Sequence, residues 1–438
     1  MNRQPAGSTR REFGQRAGLL MLGLLAAGCG GPAPAKSGQS GGAVTGEIRM
    51  ITPIFEGSDG AQVLSGLIAD FTKQHPGVKV TPDYTTYAKL NEKLTTSLAS
   101  GRPYDVMLMG VGWIPPFAAK GVLADLGDTP AALTAEYNDR VVQPGVYDGK
   151  VYARPIMLDT RFGYYRKDIF QQAGLDPEKP PATFAEIRDY ARKLTVRGSD
   201  GKLTRAGIDI LGIDIRQGFE TLVWAAGGDL FTPDGKVAFN QPKAVSALQL
   251  MTDIIRTDKS EDLGFTEPGA ATGVPIVQGR AAMMLGHNNT WQEFEQNAAD
   301  LVKSGKIGFF VITGERPALF QGGTIGAVSA KSKVQPAAKE WVKYLASSGP
   351  SLAANQQRGN VPALKSLLSS EYVQKNPAVQ FAMKNLGNAY SEGGIPAWLQ
   401  IRGDFKATIE SALLGKQSPQ QALDDLAKKA DAAIASGK

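Results

Sequence analysis

The 438-residue chain contains one cysteine and two histidines, and this scarcity excludes several kinds of site. Cys29 has no partner for an internal disulfide, and a thiolate metal cluster would need further cysteines. His75 precedes a Pro-Gly pair at a predicted helix end, where a cation suits the helix dipole. Only His287, beside two asparagines, is therefore a histidine candidate for a ligand cleft, and no metal site or cofactor is predicted.

Sequence signatures of common enzymes are also missing. Residues 47–438 contain no G-x-S-x-G elbow, no phosphate-binding loop, no H-E-x-x-H and no dinucleotide-binding G-x-G-x-x-G. A carboxylate pair for glycoside hydrolysis remains open, because carboxylates are plentiful and only two are needed. The sequence favours a protein without catalytic activity.

Long apolar runs are absent too, and the apolar stretch 17–27 is too short to span a bilayer. Arginines precede it and small residues follow it, ending at Gly28-Cys29, which is the layout of an export signal. The ending resembles the lipobox of bacterial lipoproteins, and residues 8–13 resemble a twin-arginine motif. Residues 1–28 are predicted to be a signal peptide, Cys29 to be lipidated, and residues 29–46 to form a flexible tether.

Charge gives little support to a nucleic-acid partner. The formal net charge is +6, and half of it comes from four arginines and one glutamate within residues 1–28. The remaining surplus is too small to suggest a concentrated basic face. A chain of this length and apolar content favours two domains or one two-lobed body.

The globular part alternates predicted strands and helices. A strand over 47–52, a helix over 61–75, a strand over 78–81, a helix over 89–100 and a buried strand over 105–109 form a β-α-β-α-β unit. Such a unit implies an α/β fold with parallel strands between helices. A second unit begins near residue 155 and contains further strands, a capping box at Thr183 and a helix predicted to be capped by Asn240.

Aromatic and polar side chains follow the predicted strands, where ligands bind in α/β sheets. A tryptophan face suits a sugar ring, and carboxylates or amides can bind its hydroxyls. Each residue also has a structural interpretation: Trp224 could pack inward, Asp159 could pair with Arg161, and Asp229 could close a turn. The candidate ligand-binding residues are Glu56, Asp59, Trp113, Asp159, Arg161, Trp224, Asp229, His287, Asn289, Trp291, Gly323, Arg358 and Trp398.

Several stretches resemble family 1 extracellular solute-binding proteins, the sugar-binding components of bacterial ABC importers. Residues 71–80 (FTKQHPGVKV), 164–170 (YYRKDIF), 279–284 (GRAAMM) and 415–423 match the family's motifs in order. The resemblance implies a periplasmic-binding-protein-like fold of type II with three hinge crossings, near Pro155, Leu285 and Ala330. Lobe 1 would comprise 47–155 plus about 286–330, and lobe 2 would comprise 156–285 plus about 331–438.

The resemblance also implies a function. A monomeric receptor, anchored to a membrane through Cys29, would bind a mono- or oligosaccharide and deliver it to permease subunits. A phosphorylated polyol is an alternative ligand, because Arg161 and Arg358 could hold an anion. A neutral sugar is favoured, since Glu56, Asp59 and Asp159 would repel an anion. A secreted hydrolase remains the competing function.

Overall fold

The computed structural model describes residues 44–265 and 274–437. The predicted signal peptide, the predicted lipidation site Cys29 and most of the predicted tether lie outside the described residues. The strands are β1 (Gly46–Thr52), β2 (Val78–Tyr84), β3 (Val106–Gly110), β4 (Val146–Tyr147), β5 (Lys150–Val151), β6 (Ala153–Arg166), β7 (Val196–Arg197), β8 (Leu203–Asp209), β9 (Ala281–His287), β10 (Ile307–Phe310), β11 (Ile312–Thr313), β12 (Pro317–Val328) and β13 (Ala389–Tyr390).

Helices flank these strands. The α-helices are α1 (Gly57–Gln74), α2 (Tyr87–Ala99), α3 (Ile114–Ala118), α4 (Pro130–Glu136), α5 (Asp139–Val142), α6 (Lys167–Gln172), α7 (Phe184–Leu194), α8 (Ile215–Ala225), α9 (Pro242–Thr252), α10 (Thr290–Asn297), α11 (Ala299–Lys303), α12 (Gln335–Leu345), α13 (Ser348–Arg358), α14 (Glu371–Lys375), α15 (Pro377–Lys384), α16 (Trp398–Ile401), α17 (Phe405–Leu413) and α18 (Pro419–Ala435). None of the helices within the described ranges has the length and apolar character to cross a membrane.

The first five elements form the predicted β-α-β-α-β unit. Strand β1 pairs in parallel with β2 on one side and with β3 on the other. Helix α1 buries Leu64, Leu67 and Phe71, which recur at the spacing of one helix face. Phe71 packs edge-on against Trp341 of α12, and Trp341 is fully buried, as expected of a core residue. The parallel α/β arrangement predicted for this region is confirmed.

Two long strands join this unit to the rest of the sheet. The sheet runs in the order β2-β1-β3-β12-β6-β9-β8-β7. Strand β12 pairs antiparallel with β3 and β6, and β6 pairs antiparallel with β9. Parallel pairing returns between β8 and β9. The residues predicted as hinge crossings fall in β6 for Pro155, in β9 for Leu285, and just after β12 for Ala330.

Local signals in the second half are mostly confirmed. Thr183 accepts a hydrogen bond from the backbone N–H of Glu186 at 3.1 Å and begins α7. The Glu186 carboxylate accepts the backbone N–H of Ala182 at 2.7 Å, one residue before the expected capping-box position. The prediction for Asn240 was wrong. Gln241 occupies the N-cap of α9, and the Asn240 side-chain amide donates to Asp424 at 2.9 Å instead.

Candidate functional site

The site is built on two adjacent strands, β6 and β12. Alternate residues of a strand point to the same face, so Met157, Asp159 and Arg161 of β6 share one side of the sheet. The antiparallel register places a β12 residue opposite each of them. The facing pairs are Met157 with Thr324, Asp159 with Gly322, and Arg161 with Phe320.

All six of these residues line a cavity of about 430 Å³, here called the Asp159 cavity. Loops and helix ends that follow neighbouring strands supply the rest of the lining, which places the cavity at the sheet edge that the strand pattern predicted. The remaining lining residues are Ile54, Tyr87, Ala88, Gly110, Val111, Trp113, Gln217, Asn289, Gly323, Arg358, Asn360, Glu392 and Arg402.

Asp159 is the central carboxylate of this cavity. Its Oδ2 lies 2.9 Å from Arg161 Nη1, and its Oδ1 lies 3.4 Å from His287 Nδ1. Burial disfavours the ionised form of Asp159, but the Arg161 guanidinium and the contact with His287 outweigh it and hold the pKa of that carboxyl well below its usual range. Asp159 is therefore an ionised acceptor. The Arg161 guanidinium also lies over the Phe320 ring, 4.8 Å from its centroid.

A glycine bulge shapes the floor of the cavity. The β6–β12 register shifts between Thr324 and Ile325, and Gly323 has a φ of +131°. A Cβ on Gly323 would lie 2.2 Å from the Met157 carbonyl oxygen, so no other residue fits there. The Thr324 hydroxyl forms a short hydrogen bond with that of Tyr87. Enclosure of the Tyr87 hydroxyl raises its pKa to about 12, so the phenol is neutral.

Asn288, a buried residue after β9, fixes three parts of the site relative to one another. Its side-chain oxygen accepts the backbone N–H of Thr160 at 2.7 Å, and its amide donates to the Gly359 carbonyl at 2.8 Å. This places the Asn289 side chain, which is exposed, beside β6 and beside the end of α13.

The opposite wall contains a second set of charges. Glu392 is bound by Arg216 through a short contact and by Arg402 at 3.4 Å. Arg216 also binds Glu220 at 2.8 Å, and Glu220 is fully buried. Burial is the largest influence on Glu220 and raises its pKa to about 8, although Arg216 opposes this. Glu392 and Arg402 face the cavity, while Arg216 and Glu220 lie behind them.

A neighbouring cavity of about 390 Å³, here called the Trp224 cavity, shares Val111 and Glu392 with the first. Trp224 stacks on Tyr390 with ring centroids 5.5 Å apart. Asp229 lines the same cavity and accepts a hydrogen bond from Arg316 at 2.9 Å. Its position is held by an ion pair as well as by the turn after Gly227-Gly228.

The predicted site residues thus separate into groups. The Asp159 cavity brings together Trp113, Asp159, Arg161, Asn289, Gly323 and Arg358, with His287 in contact with Asp159. Trp224 and Asp229 line the neighbouring cavity. Glu56 and Asp59 begin α1 and line neither cavity. Trp398 is fully buried behind the Asp159 cavity, where the Arg216 guanidinium lies 5.8 Å from its ring.

The placement of Trp291 differs from the prediction. The sequence places it in a loop beside the cleft, but it lies in the first turn of α10 and is 4% exposed. Its ring packs against Phe294 and Phe309, and its Nε1 donates to Glu295 at 2.9 Å. Trp291 therefore belongs to the core, because the chain turns directly into a helix after β9 and points this side chain inward.

Sequence reasoning missed several cavity residues, namely Tyr87, Gln217, Thr324, Asn360, Glu392 and Arg402. Tyr87 could have been predicted, because it begins helix α2, which follows strand β2. For Glu392, the only local indication in the sequence is the surrounding Ser-Glu-Gly-Gly stretch, which is typical of a turn. Among residues 44–265 and 274–437, no three His, Cys, Asp or Glu side chains are grouped closely enough to hold a metal ion.

An α/β sheet with polar cavities at its strand ends has the architecture of a ligand-binding protein, and solved structures share the fold. The sugar-binding protein MalE of Xanthomonas citri superposes with a TM-score of 0.74 at 21% identity, covering 89% of this chain and 98% of that one. The cyclic α-maltosyl-1,6-maltose binding protein of Arthrobacter globiformis gives 0.72 at 23% identity, with 89% and 99% coverage. The predicted fold class is confirmed.

The chain belongs to the bacterial extracellular solute-binding protein family, whose sequence pattern matches residues 57–350. It is 26% identical to the diacetylchitobiose binding protein DasA of Streptomyces coelicolor, over 94% of this chain and 96% of that protein. It is 24% identical to the sn-glycerol-3-phosphate-binding periplasmic protein UgpB of Escherichia coli, over 87% and 92% respectively. The suspected family is therefore confirmed.

Proposed function

We propose that this protein is an extracytoplasmic receptor that captures a carbohydrate in the Asp159 cavity and delivers it to the permease of an ABC importer. The observation that carries the proposal is the set of polar groups in this cavity. Asp159 is an ionised acceptor, the Asn289 side chain is exposed, and Trp113, although only 5% exposed, lines the cavity with them. A polyhydroxylated ring offers matching donors, acceptors and C–H faces.

The chemistry of the carboxylates supports a binding protein rather than a hydrolase. A glycosidase needs one carboxyl whose pKa is raised so that it can donate a proton, beside a second that is ionised. The pKa of Asp159 is shifted downward, and Glu392 is engaged by two arginines. Asp159 is therefore not prepared to act as a general acid, and Glu220, whose pKa is raised, is fully buried and lies outside the lining of the Asp159 cavity.

The two-lobed hinge is part of this proposal. The cavity takes residues from both sides of the Pro155 position in β6, so ligand contacts would favour a closed arrangement over an open one. Solution scattering should show a smaller radius of gyration with saturating ligand. An identical profile with and without ligand would count against hinge closure.

Lipid anchoring is the second part. Cys29 and the low-complexity tether after it would keep the globular part beside a membrane while leaving it free to bind. Cys29→Ser should release the protein from the membrane fraction without changing ligand affinity. Retention of the variant in salt-washed membranes would contradict the lipoprotein assignment.

The ligand itself should be sought by thermal shift over a library of mono- and oligosaccharides and phosphorylated polyols. The relatives named above are described as binding diacetylchitobiose and glycerol 3-phosphate, so both classes belong in the library. A ligand at 100 times its dissociation constant stabilises the native state by about 2.7 kcal/mol, which moves the melting temperature measurably. No stabilisation by any member of the library would contradict the proposal.

A further inference from the structure

Three arginines line the Asp159 cavity, and they differ in their partners. Arg161 is paired with Asp159 at 2.9 Å, and Arg402 is paired with Glu392 at 3.4 Å. Arg358 forms no ion pair with any residue in the described parts of the chain, and its Nη1 reaches only the Ile54 carbonyl, at 3.3 Å. With two carboxylates against three guanidinium groups, the cavity lining has one positive charge that the protein does not neutralise.

Of the three carboxylates expected to repel an anion, two lie outside the Asp159 cavity and the third, Asp159, is already paired with an arginine. Glu56 and Asp59 line neither cavity, and Asp59 accepts a hydrogen bond from the Ser58 hydroxyl at 3.0 Å. Asp159 is neutralised by Arg161, which also donates to the Asp159 backbone carbonyl at 2.9 Å. The reason for favouring a neutral ligand is therefore removed by the placement of these residues.

The backbone holds Arg358 in place. Helix α13 ends at Gly359, whose φ is +65°, and the next residue, Asn360, donates its backbone N–H to the Asn355 carbonyl at 3.0 Å. This is a Schellman ending, which needs the left-handed conformation that glycine adopts readily. Val361 and Leu158 of β6 then exchange two backbone hydrogen bonds of 2.9 and 3.0 Å. Arg358 is thereby fixed against the strand that carries Asp159.

A further donor near Arg358 lacks a good acceptor. The Asn360 side-chain amide belongs to a residue that lines the cavity, and it donates only to the Met157 sulfur, a weak acceptor. A donor left in this state costs free energy unless a ligand satisfies it. The guanidinium fork of Arg358 matches the two oxygens of a carboxylate or phosphate.

We propose that the ligand of the Asp159 cavity carries an oxyanion, either a carboxylate or a phosphate, and that Arg358 binds it. The inference rests on the proposed receptor function and narrows it to an acidic carbohydrate or a phosphorylated polyol. The polyhydroxylated part of the ligand would lie toward Asp159 and Asn289, and the oxyanion would lie toward Arg358 and Asn360.

The test is calorimetric titration of the mature protein with matched pairs. Glucose, glucuronate and glucose 6-phosphate form one set, the corresponding disaccharides and their uronates a second, and glycerol with glycerol 3-phosphate a third. The anionic member of at least one set should bind about ten- to a hundredfold more tightly than its neutral counterpart, with an affinity that falls as salt is added. The uronate and phosphate members distinguish the two oxyanions.

Arg358→Gln should remove that preference, so that the anionic member of the set binds no more tightly than its neutral counterpart. Arg102→Gln is the matched control, because Arg102 is exposed, lies outside both cavities and removes the same charge. If neutral sugars bind and their anionic counterparts do not, the receptor stands and the oxyanion inference is overturned. If no set binds, the receptor proposal itself fails. If Arg358→Gln does not fold, titration of the unaltered protein with the matched pairs still shows whether the anionic ligand is preferred.

Discussion

Two arginine–carboxylate groups face the Asp159 cavity from opposite walls, and they differ in exposure. On the β6 wall, the Asp159 side chain is 27% exposed and pairs with a single arginine. On the other wall, the side chains of Arg216, Glu220 and Glu392 are 4%, 0% and 8% exposed. The first group keeps part of its hydrogen-bonding capacity available to a ligand, whereas the second uses most of its capacity within the protein.

This difference separates the ligand affinity of the cavity from the stability of its walls. A buried ion pair contributes little net stability compared with an apolar replacement, but loss of one partner leaves an uncompensated charge. A partly exposed carboxylate that faces a cavity costs less to replace and has more influence on binding. We therefore expect the two walls to respond differently to substitution.

The largest effect is expected for Arg216→Met. The change removes the bonds of Arg216 to Glu220 and Glu392 and leaves Glu392 with Arg402 alone, so the free energy of unfolding should fall by about 3–5 kcal/mol. Urea unfolding followed by circular dichroism measures this loss. Arg192→Met is the matched control: the Arg192 side chain is 48% exposed, and its partners Asp258 and Asp189 keep Arg188 and Lys193, so the loss should be less than about 1 kcal/mol. Equal losses for both variants would contradict the assignment of a structural role to the buried wall.

The second-largest effect is expected for Trp291→Ala. The free energy of unfolding should fall by about 3 kcal/mol, because the ring is buried against Phe294 and Phe309. The ligand affinity of the folded protein should stay the same, because Trp291 lies outside the cavity lining. Calorimetric titration beside the melting curve separates the two effects. A large loss of affinity with an unchanged melting temperature would place Trp291 in the site after all.

Asp159→Asn keeps the size of the side chain but removes its charge. A hydrogen bond between a ligand hydroxyl and a carboxylate contributes about 1.5–3 kcal/mol, so affinity should fall about ten- to a hundredfold. The circular dichroism spectrum should be unchanged. Asp229→Asn, in the neighbouring cavity, is the control and should leave affinity within about twofold. The opposite ranking would move the ligand to the Trp224 cavity.

A smaller effect concerns pH. Because burial raises the pKa of Glu220 to about 8 from an ordinary value of 4.5, the folded state binds a proton that the unfolded state has released between these values. The stability that Glu220 contributes is therefore complete below about pH 4.5 and is lost progressively as the pH rises through 8. Glu220→Gln should flatten this decline in urea unfolding between pH 5 and 8. An unchanged slope would show that Glu220 is ionised throughout this range.

The sequence predicted the β-α-β-α-β unit and six of the residues that line the Asp159 cavity. The Asp148-Gly149 pair is a sequence signal for a tight hairpin turn, and φ is positive at both residues, at 48° and 73°. These features depend on local periodicity, capping and turn chemistry, which a short stretch of sequence contains.

Other features of the site depend on contacts between distant segments. The Asp159 side chain faces Gly322 because of the register between β6 and β12, and neither strand contains a local signal for that register. The Glu392 carboxylate is held beside the cavity by Arg216, 176 positions earlier in the chain, and by Arg402, ten positions later. No local sequence pattern indicates these contacts. Trp291 was misplaced because the end of a strand and the start of a helix are separated by only two residues.

A crystal structure of the protein with the ligand found by thermal shift would test the central claim most directly. We expect density for the ligand in the Asp159 cavity, with hydroxyl oxygens within hydrogen-bond distance of Asp159 and with the side chains of Arg216, Glu220 and Glu392 unmoved. Density in the Trp224 cavity, or a ligand held by Glu220 and Arg216 after the buried wall has opened, would contradict it.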